Sequence, residues 1–403
     1  MSKMRLFKDN PGMKVPVKSW CANIEAGAMA QAVNVANHPA VFHHVALMPD
    51  CHQGYGMPIG GVAALKDAIS PNMVGVDIGC GMIAVQTDIP VKYLPKQQLR
   101  EILQQIKRAV PVGFNKHKKK QTWDGFSAGP PKWMDKKKWD TAAKSLGTLG
   151  GGNHFIEIQA DESDRIWLML HSGSRNPGKT IADFHNRIAI KLNKKMNISA
   201  VNKDLAFLPS DSNEGKAYQK DMNFALAYAL ENRKRMMIRF KQIFAETLKI
   251  FHQTEVNFLQ EINIHHNFAA LEKHFGRQVW VHRKGATSAG KNEMGIIPGS
   301  MGTPSYIVKG LGNPESFMSC SHGAGRIMGR GQASKTLSKE ECDNAMDGIL
   351  FDRWSKISRG KKKGLFDLGE APGAYKNIDS VIEAQLDLVK PVVKLKPLGV
   401  VKG

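Results

Sequence analysis

The sequence predicts a mixed α/β fold, in which a single large domain over residues 1–403 has central β-sheets flanked by helices. Short apolar runs bounded by glycine and proline alternate with segments of helical periodicity, which is the pattern of strands and helices interleaved along one chain. The sequence has no repeat of fixed period, which excludes solenoids and propellers. No clean linker divides the chain, so we expect one interleaved domain.

The predicted strands are short apolar runs that end at turn-forming residues. The first covers residues 41–48 and is expected to end at Pro49, where a Pro-Asp pair favours a loop. Further strands are predicted over residues 60–65, 82–87, 155–158 and 166–170 and, between glycine-rich loops, within 279–320.

The predicted helices are marked by one apolar face. Residues 95–110 place Leu99, Ile102 and Ile106 at the spacing of such a face. Helices are also predicted over residues 180–196, 215–262 and 335–356 and at the start of 378–403. The basic residues Arg233 to Arg235 and Arg239 of the long helix could contact RNA, but we expect them to form plain solvated surface.

The charge of the chain indicates a polyanionic partner. Lys and Arg number 57 against 36 Asp and Glu, a net charge of +21. We favour nucleic acid over an anionic membrane, because the sequence has neither a lipidation motif nor an apolar run long enough to span a bilayer. The five cysteines are scattered, which predicts a reducing, cytoplasmic location rather than a disulfide framework.

Residues 115–139 combine lysines with Trp123, Trp133 and Trp139. Such a segment could grip a sugar-phosphate backbone and stack bases, or it could be a solvated surface loop, and the sequence leaves both open.

Five potential metal ligands stand at the edges of apolar runs, beside glycine or small polar residues. Any one of these histidines alone is more often a structural residue than a ligand. Together, a carboxylate, a thiol and three imidazoles predict a two-metal site. The five residues are Asp77, Cys80, His154, His171 and His266.

A second group of residues indicates nucleotide chemistry. His322 stands among small residues, four positions before Arg326, so its imidazole could approach a phosphorus atom while the arginine holds the phosphate. Residues 296–302 form a loop rich in backbone donors. A tight glycine-rich turn is the competing interpretation of the His322 segment.

Taken together, these segments resemble the RtcB family of RNA-splicing and repair ligases. The matching stretches run in order along nearly the whole chain: MPDCHQG (48–54), VGVDIGCGM (74–82), LGTLGGGNHFIEI (146–158), LHSGSR (170–175), EINIHHN (261–267), HRKGA (282–286), GIIPGSMG (295–302), SCSHGAGR (319–326), AYKNID (374–379) and VKG (401–403).

The resemblance implies an enzyme that joins an RNA 3′-phosphate or 2′,3′-cyclic phosphate end to a 5′-hydroxyl end, in tRNA splicing or RNA repair, with GTP and two Mn²⁺ ions. By motif match, Asp77, Cys80 and His154 would hold one Mn²⁺. Cys80, His171 and His266 would hold the second. His322 would attack GTP and carry a covalent histidine–GMP intermediate.

The same resemblance implies the residues around the substrates. Asp50, His265, Arg175 and Arg326 would position RNA ends or phosphates. RNA is the implied partner, and the need for an archease-like activator stays open. The guanylate pocket would be lined by Asn153, Glu157, His266, Asn267, Pro298, Gly299, Ser300, Met301, Ser305, Gly323, Ala324, Gly325, Tyr375 and Lys402.

Three alternatives remain at this point. A relative could guanylylate 3′-phosphates without efficient sealing. A Mn²⁺-dependent RNA-end phosphoesterase would hydrolyse ends without GTP. A basic RNA-binding protein with a decayed site is a third possibility, although the full set of ligands argues against decay.

Overall fold

The computed structural model describes residues 4–8, 13–198, 202–358 and 360–403. It is a mixed α/β structure, as predicted. Its strands are β1 (Arg5–Phe7), β2 (Val17–Ser19), β3 (Val41–Tyr55), β4 (Met57–Leu65), β5 (Ala68–Ile69), β6 (Gly81–Pro90), β7 (Phe155–Ala160), β8 (Arg165–Ser172), β9 (Leu208–Pro209), β10 (Phe258–His265), β11 (Asn267–His274), β12 (Arg277–Lys284), β13 (Ala286–Ser288), β14 (Met294–Ile297), β15 (Ser305–Gly310), β16 (Ser319–Ser321) and β17 (Val389–Lys402).

The helices of the described residues pack around these strands. They are α1 (Ala26–Ala36), α2 (Pro71–Val74), α3 (Lys96–Ala109), α4 (Lys136–Ser145), α5 (Pro177–Lys195), α6 (Asn213–His252), α7 (Arg330–Thr336), α8 (Lys339–Asn344) and α9 (Ile378–Glu383). In the same part of the chain, we find no helix that combines the length and the apolar character needed to cross a bilayer.

Two larger sheets organise the described chain. One has six strands in the order β1-β2-β3-β4-β12-β11, and the other has seven in the order β10-β6-β8-β7-β17-β15-β14. Two-stranded pairs, β13 with β16 and β5 with β9, complete the strand pairing. The extent of a single domain over residues 1–403 stays a prediction.

The seven-stranded sheet is buried on both faces, because alternate residues of its strands point to opposite sides. Ile83 and Val85 of β6 pack in one apolar cluster with residues of α3 and α6, such as Ile102 and Phe240. The neighbouring Met82 lies in a separate cluster on the opposite face. The predicted apolar face of residues 95–110 is therefore confirmed as the contact of α3 with this sheet.

Strand ends of the seven-stranded sheet form one row. His265 of β10 is opposite Gly81 of β6, and Gly81 is opposite Ser172 of β8. On the other side of β8, His171 is opposite Phe155 of β7, which is in turn opposite Lys402 of β17. Antiparallel pairing in this register brings residues far apart in sequence to one edge of the sheet.

Two predicted boundaries of strands and helices are wrong. The run from residue 41 does not end at Pro49 but continues to Tyr55, because the β3–β4 pairing shifts register between Leu47 and His52 and the resulting bulge accommodates a proline. The helix predicted over 215–262 ends at His252, and Gln253 follows with a left-handed φ of 50°. Residues 258–265 pair with β6 instead.

The helix predicted over 335–356 is also wrong over most of its length. Two short helices, α7 and α8, replace its beginning, and Ser338 caps the second by accepting a hydrogen bond from the Glu341 amide. The second of these helices ends at Asn344, and the turn that follows includes Gly348 with a φ of 76°. The helix predicted at the start of 378–403 is confirmed as α9, and the basic tail after it is strand β17.

The tryptophans of residues 115–139 face inward. Trp123 packs edge-on against Phe126 and Tyr228, Trp139 stacks on Phe224, and the Trp133 indole donates to Asp221. Their rings are therefore occupied by protein, which contradicts the interpretation in which these tryptophans stack bases.

Arg233 is buried, which corrects its predicted place on the surface of the long helix. Its Nη1 donates to the Gly79 carbonyl at 2.8 Å and the Ser172 carbonyl at 3.1 Å, and its Nε donates to the Asn263 side chain at 2.8 Å. Burial lowers the pKa of Arg233 to about 10, and Cys80 acts in the opposite direction. One guanidinium thus joins α6 to three segments that end at the same sheet edge.

We expect Arg233→Met to lower the free energy of unfolding by about 3 kcal/mol, because it leaves buried carbonyls without donors. Urea unfolding followed by tryptophan fluorescence measures the change. Lys234→Met is the matched control, since Lys234 is exposed, and it should change stability by less than about 0.5 kcal/mol. Equal stability of the two variants would contradict a central role for Arg233.

Candidate active site

Side chains of the types that coordinate metals converge at the common edge of the seven-stranded sheet. The Cys80 Sγ lies 3.4 Å from the His154 Nε2 and 3.3 Å from the His171 Nε2. The His266 Nε2 is 3.4 Å from the His171 Nε2, and Asp77 Oδ2 is 3.5 Å from the His154 Nε2. The structure therefore brings all five predicted ligands together, and three of them, Cys80, His154 and His171, form a group that could hold a metal ion.

Backbone carbonyls orient two of these imidazoles. The His154 Nδ1 donates to the Leu149 carbonyl at 2.9 Å, and the His171 Nδ1 donates to the Asn153 carbonyl at 3.1 Å. Because each proton is on Nδ1, each Nε2 presents a lone pair toward Cys80. Such carbonyl contacts are the usual outer support of metal-binding histidines.

The chemistry of this donor set fits a cation. Two nitrogen lone pairs, a sulfur and a carboxylate oxygen converge, and a single thiol proton could satisfy only one acceptor. Burial, with the neighbouring His154, lowers the pKa of His171 well below its usual value, so the imidazole is neutral and able to coordinate. Burial, with Asp77, raises the pKa of the Cys80 thiol, and a bound cation would favour its thiolate.

His322 lies beside this cluster, with its ring 4.8 Å from the His266 ring between centroids. Its Nδ1 donates to Asp50 Oδ2 at 2.6 Å, and the same oxygen accepts the His322 amide at 3.1 Å. Burial alone would raise the pKa of Asp50, but the charge and hydrogen bond of His322 outweigh it and lower that pKa. The Nε2 of His322 is thus left free of this hydrogen bond.

A cavity of about 380 Å³ connects the cluster to His322 and the loops around it, a volume in the range of small-molecule sites. The five predicted ligands and His322 line it. So do the following residues that the resemblance places near nucleotide or RNA: Asn153, Asn267, Pro298, Gly299, Ser300, Met301, Gly323, Ala324, Gly325, Arg326, Tyr375 and Lys402.

Five predicted site residues lie outside the cavity wall. Asp50 is behind His322, and the His265 Nδ1 contacts the Gly79 carbonyl at 2.9 Å. Arg175 donates to the Gly113 carbonyl and the Thr148 hydroxyl.

The other two, Glu157 and Ser305, are both bonded to Gln159. Burial raises the pKa of Glu157 to about 8, and Gln159 and Lys402 act in the opposite direction.

Four charged or titratable residues of the cavity wall were not predicted: His52, Lys284, Arg330 and Glu370. Lys284 stands within a matched stretch, and Arg330 follows Arg326 by four positions, so weak signals existed for both. Glu370 had none. It nevertheless organises this side of the cavity, because it bonds to Arg326 at 3.3 Å and Arg330 at 2.5 Å, to the Tyr375 hydroxyl, and to Lys402 at 3.4 Å.

We expect Cys80→Ala to lose tightly bound metal, because Sγ is the atom that both Nε2 groups face. Elemental analysis after Mn²⁺ loading and desalting measures the change as moles of metal per mole of protein. Cys342→Ala, which removes a buried thiol of α8 outside this cluster, should keep the wild-type content. Unchanged metal content in Cys80→Ala would contradict the assignment.

Comparison with known proteins shows to which family the chain belongs. The sequence model of the family described as "tRNA-splicing ligase RtcB" matches residues 31–127 and 124–403. The "RNA-splicing ligase RtcB" of Escherichia coli (strain K12) is 41% identical over 409 residues, covering 96% of this chain and 97% of that protein. The "tRNA-splicing ligase RtcB" of Thermococcus kodakarensis is 31% identical over 447 residues, covering 93% and 91%. The chain therefore belongs to the RtcB family.

Proposed function

We propose that this protein is an RNA ligase that joins an RNA 3′-phosphate or 2′,3′-cyclic phosphate end to a 5′-hydroxyl end through a histidine–GMP intermediate on His322. The observation that carries the proposal is the orientation of His322. Asp50 holds its Nδ1 at 2.6 Å, and its ring stands beside His266 at the wall of the cavity. The family supports the substrate class, since it is the family of tRNA-splicing ligases.

The hydrogen bond to Asp50 suits His322 for nucleophilic attack. The carboxylate accepts a hydrogen bond from the Nδ1–H group and keeps the proton on Nδ1, so the lone pair of the imidazole is on Nε2. This lone pair forms a bond to the α-phosphorus of GTP while the bond to the β-phosphate oxygen breaks and pyrophosphate leaves. Asp50 then faces the positive charge that develops on the ring, as a carboxylate does beside a catalytic histidine.

Two Mn²⁺ ions are proposed as cofactors. Asp77, Cys80 and His154 would hold one, and Cys80, His171 and His266 the second. When bound, such ions neutralise charge on phosphate oxygens. The residue types alone do not select Mn²⁺, and that identity follows from the family.

The nucleotide is proposed to occupy the rest of the cavity. The loop of Pro298, Gly299, Ser300 and Met301 would line the guanylate, facing the loop of Gly323, Ala324 and Gly325. Asn153, Asn267 and Tyr375 would contact it, with the buried Glu157 and Ser305 and the partly exposed Lys402 close by. Arg326 and Arg330 would hold phosphates in place of their present carboxylate partner, Glu370.

A 2′,3′-cyclic phosphate end is proposed to be opened first by water to a 3′-phosphate. GMP then passes from His322 to the RNA 3′-phosphate, so that the phosphorus of this RNA end carries GMP as a good leaving group. The 5′-hydroxyl of the second RNA displaces GMP and seals the strand. Asp50, His265, Arg175 and Arg326 are proposed to position the reacting groups, directly or through their neighbours. Cellular RNA, a cytoplasmic location and an archease-like activator belong to the same proposal.

Incubation with α-labelled GTP and Mn²⁺ tests the intermediate. We expect label to remain on the wild-type protein in a denaturing gel and to be absent from His322→Ala, because only Nε2 of that ring forms the covalent bond. His252→Ala, at the far end of α6, should label like the wild type. A wild type that hydrolyses RNA ends without ever taking up label would instead indicate a phosphoesterase.

Asp50→Asn tests the orientation of the imidazole. We expect the rate of adduct formation under single-turnover conditions to fall by roughly 100-fold or more, because an amide neither fixes the tautomer nor balances the ring charge. The control Asp211→Asn removes an exposed carboxylate and should leave the rate unchanged. A wild-type rate in Asp50→Asn would show that this carboxylate does not assist His322.

Ligation itself is tested with two RNA strands, one ending in a 3′-phosphate and one starting with a 5′-hydroxyl. Sealed product with GTP, and none without it, supports the full proposal. Labelled protein and capped RNA ends without sealed product would favour the guanylylating alternative.

A further inference from the structure

We propose that Phe114 is a stacking platform for an unpaired RNA base next to the end that enters the cavity. The inference rests on the proposed function and adds to it a subsite beyond the residues discussed so far. Its elements are an exposed ring, a cationic surround, and an open glycine path to the cavity, each supplied by different residues.

The ring of Phe114 is fully exposed to solvent. Single exposed apolar residues are common and need no explanation, so exposure alone does not indicate a ligand. Here, however, the backbone on both sides is tightly held. The Gly113 amide donates to the Gly150 carbonyl at 2.8 Å, Arg175 Nη2 donates to the Gly113 carbonyl at 2.9 Å, and the Asn115 amide donates to the Val112 carbonyl at 3.1 Å.

A ring on an anchored loop is already ordered before it binds a partner, which reduces the entropy lost on contact. This contact also gives Arg175 a role, since its guanidinium fixes the loop that carries Phe114.

The surround of Phe114 is cationic. Lys116, Lys118 and Lys119 are exposed, and among the described residues no carboxylate forms an ion pair with any of them, whereas Lys120 pairs with Asp140 at 2.7 Å. Exposed aromatic rings interleaved with free cations are the combination by which proteins hold single-stranded nucleic acid, the ring for a base and the cations for its backbone. An apolar protein partner would not need these lysines for binding.

A strip of glycines connects the ring to the cavity. Gly151 and Gly152 are exposed, and they lie between the Phe114 loop and Arg330. A Cβ added at Gly151 would stand 3.7 Å from the Gly113 Cα, and one added at Gly152 would stand 3.2 Å from Arg330 Nη2. Since Arg330 lines the cavity, a strand that leaves the cavity passes over bare backbone to reach Phe114.

Gly150, which precedes Gly151 in the same loop, lies against His154 of the candidate metal cluster. A Cβ added at Gly150 would come within 2.5 Å of the His154 Nδ1, so this loop has no room for a side chain on that side. The glycine strip is therefore close to the reacting centre, and Gly403 lies beside Gly151 along it. The tryptophans of residues 115–139 are less suited to this role than Phe114, because Trp139 is buried and the rings of Trp123 and Trp133 pack against other aromatic side chains.

The test is a titration of a fluorescein-labelled single-stranded RNA of ten nucleotides with a 3′-phosphate, followed by anisotropy without GTP. We expect Phe114→Ala to weaken binding about tenfold, within the range for loss of one base–aromatic stack. Phe114→Trp should bind at least as tightly as the wild type. The matched control Phe251→Ala, which removes another exposed phenylalanine at the end of α6, should bind normally.

The salt dependence separates stacking from charge. For Phe114→Ala the slope of log K against log salt concentration should equal that of the wild type, because no counterion is released by a stacked base. For Lys118→Ala the slope should fall by about 0.7, the value for one phosphate contact on a single strand. A 2-aminopurine placed near the 3′ end should lose fluorescence on binding to the wild type and less on binding to Phe114→Ala.

Equal RNA affinity of Phe114→Ala and the wild type would overturn the inference, as would an effect of the same size in Phe251→Ala. An affinity loss with a reduced salt slope would also overturn it, because charge rather than stacking would then explain the loss. Since the titration needs no GTP, its failure is distinct from a failure of His322 to take up label, which would remove the proposed ligase chemistry alone.

Discussion

The buried guanidinium of Arg233 is the constraint on which the site depends. It reaches from α6 to the turn before Cys80, to the end of β8 and to β10, so three segments that supply ligands share one donor group. A buried cation is costly unless it is well hydrogen-bonded. Here its donors meet protein acceptors, and its charge stands near Cys80 and Asp77, where a thiolate and a carboxylate would require a counter-charge.

The neutral and the charged side chains of the site differ in how deeply they are buried. The imidazoles of His171 and His266 are buried, and burial lowers the pKa of both well below the usual value, which keeps them neutral. Arg326, Arg330 and Lys402, in contrast, face the cavity, where Glu370 balances them. Neutral nitrogen donors and charged groups thus lie in one cavity without competing for the same partners.

Much of the chemistry could be predicted from sequence, because short motifs at strand ends carry it. Asp77, Cys80 and His154 stand in or beside glycine-rich segments whose spacing is visible in one chain. The residues that could not be predicted depend on contacts between distant segments. Glu370 has no local pattern, and its importance appears only when Arg326 and Lys402 are seen to meet it.

The errors in secondary structure have a similar cause. Residues 258–265 follow a long helix without a strong break and become a strand because β6 offers them a partner. Arg233 belongs to a basic run whose composition predicts exposure to solvent. Tertiary contacts nevertheless bury Arg233, while the neighbouring Lys234 stays exposed. The class of the fold was predictable because strand and helix patterns are local. The burial of individual side chains was not predictable, because it depends on tertiary contacts.

The position of β17 has a consequence for the order of assembly. This strand lies between β7 and β15 in the seven-stranded sheet, and Lys402 at its end reaches the cavity. During translation, the sheet stays in two pieces until residues 389–402 have left the ribosomal exit tunnel. The last strand of the described residues is therefore the one that joins both pieces and completes the wall of the pocket.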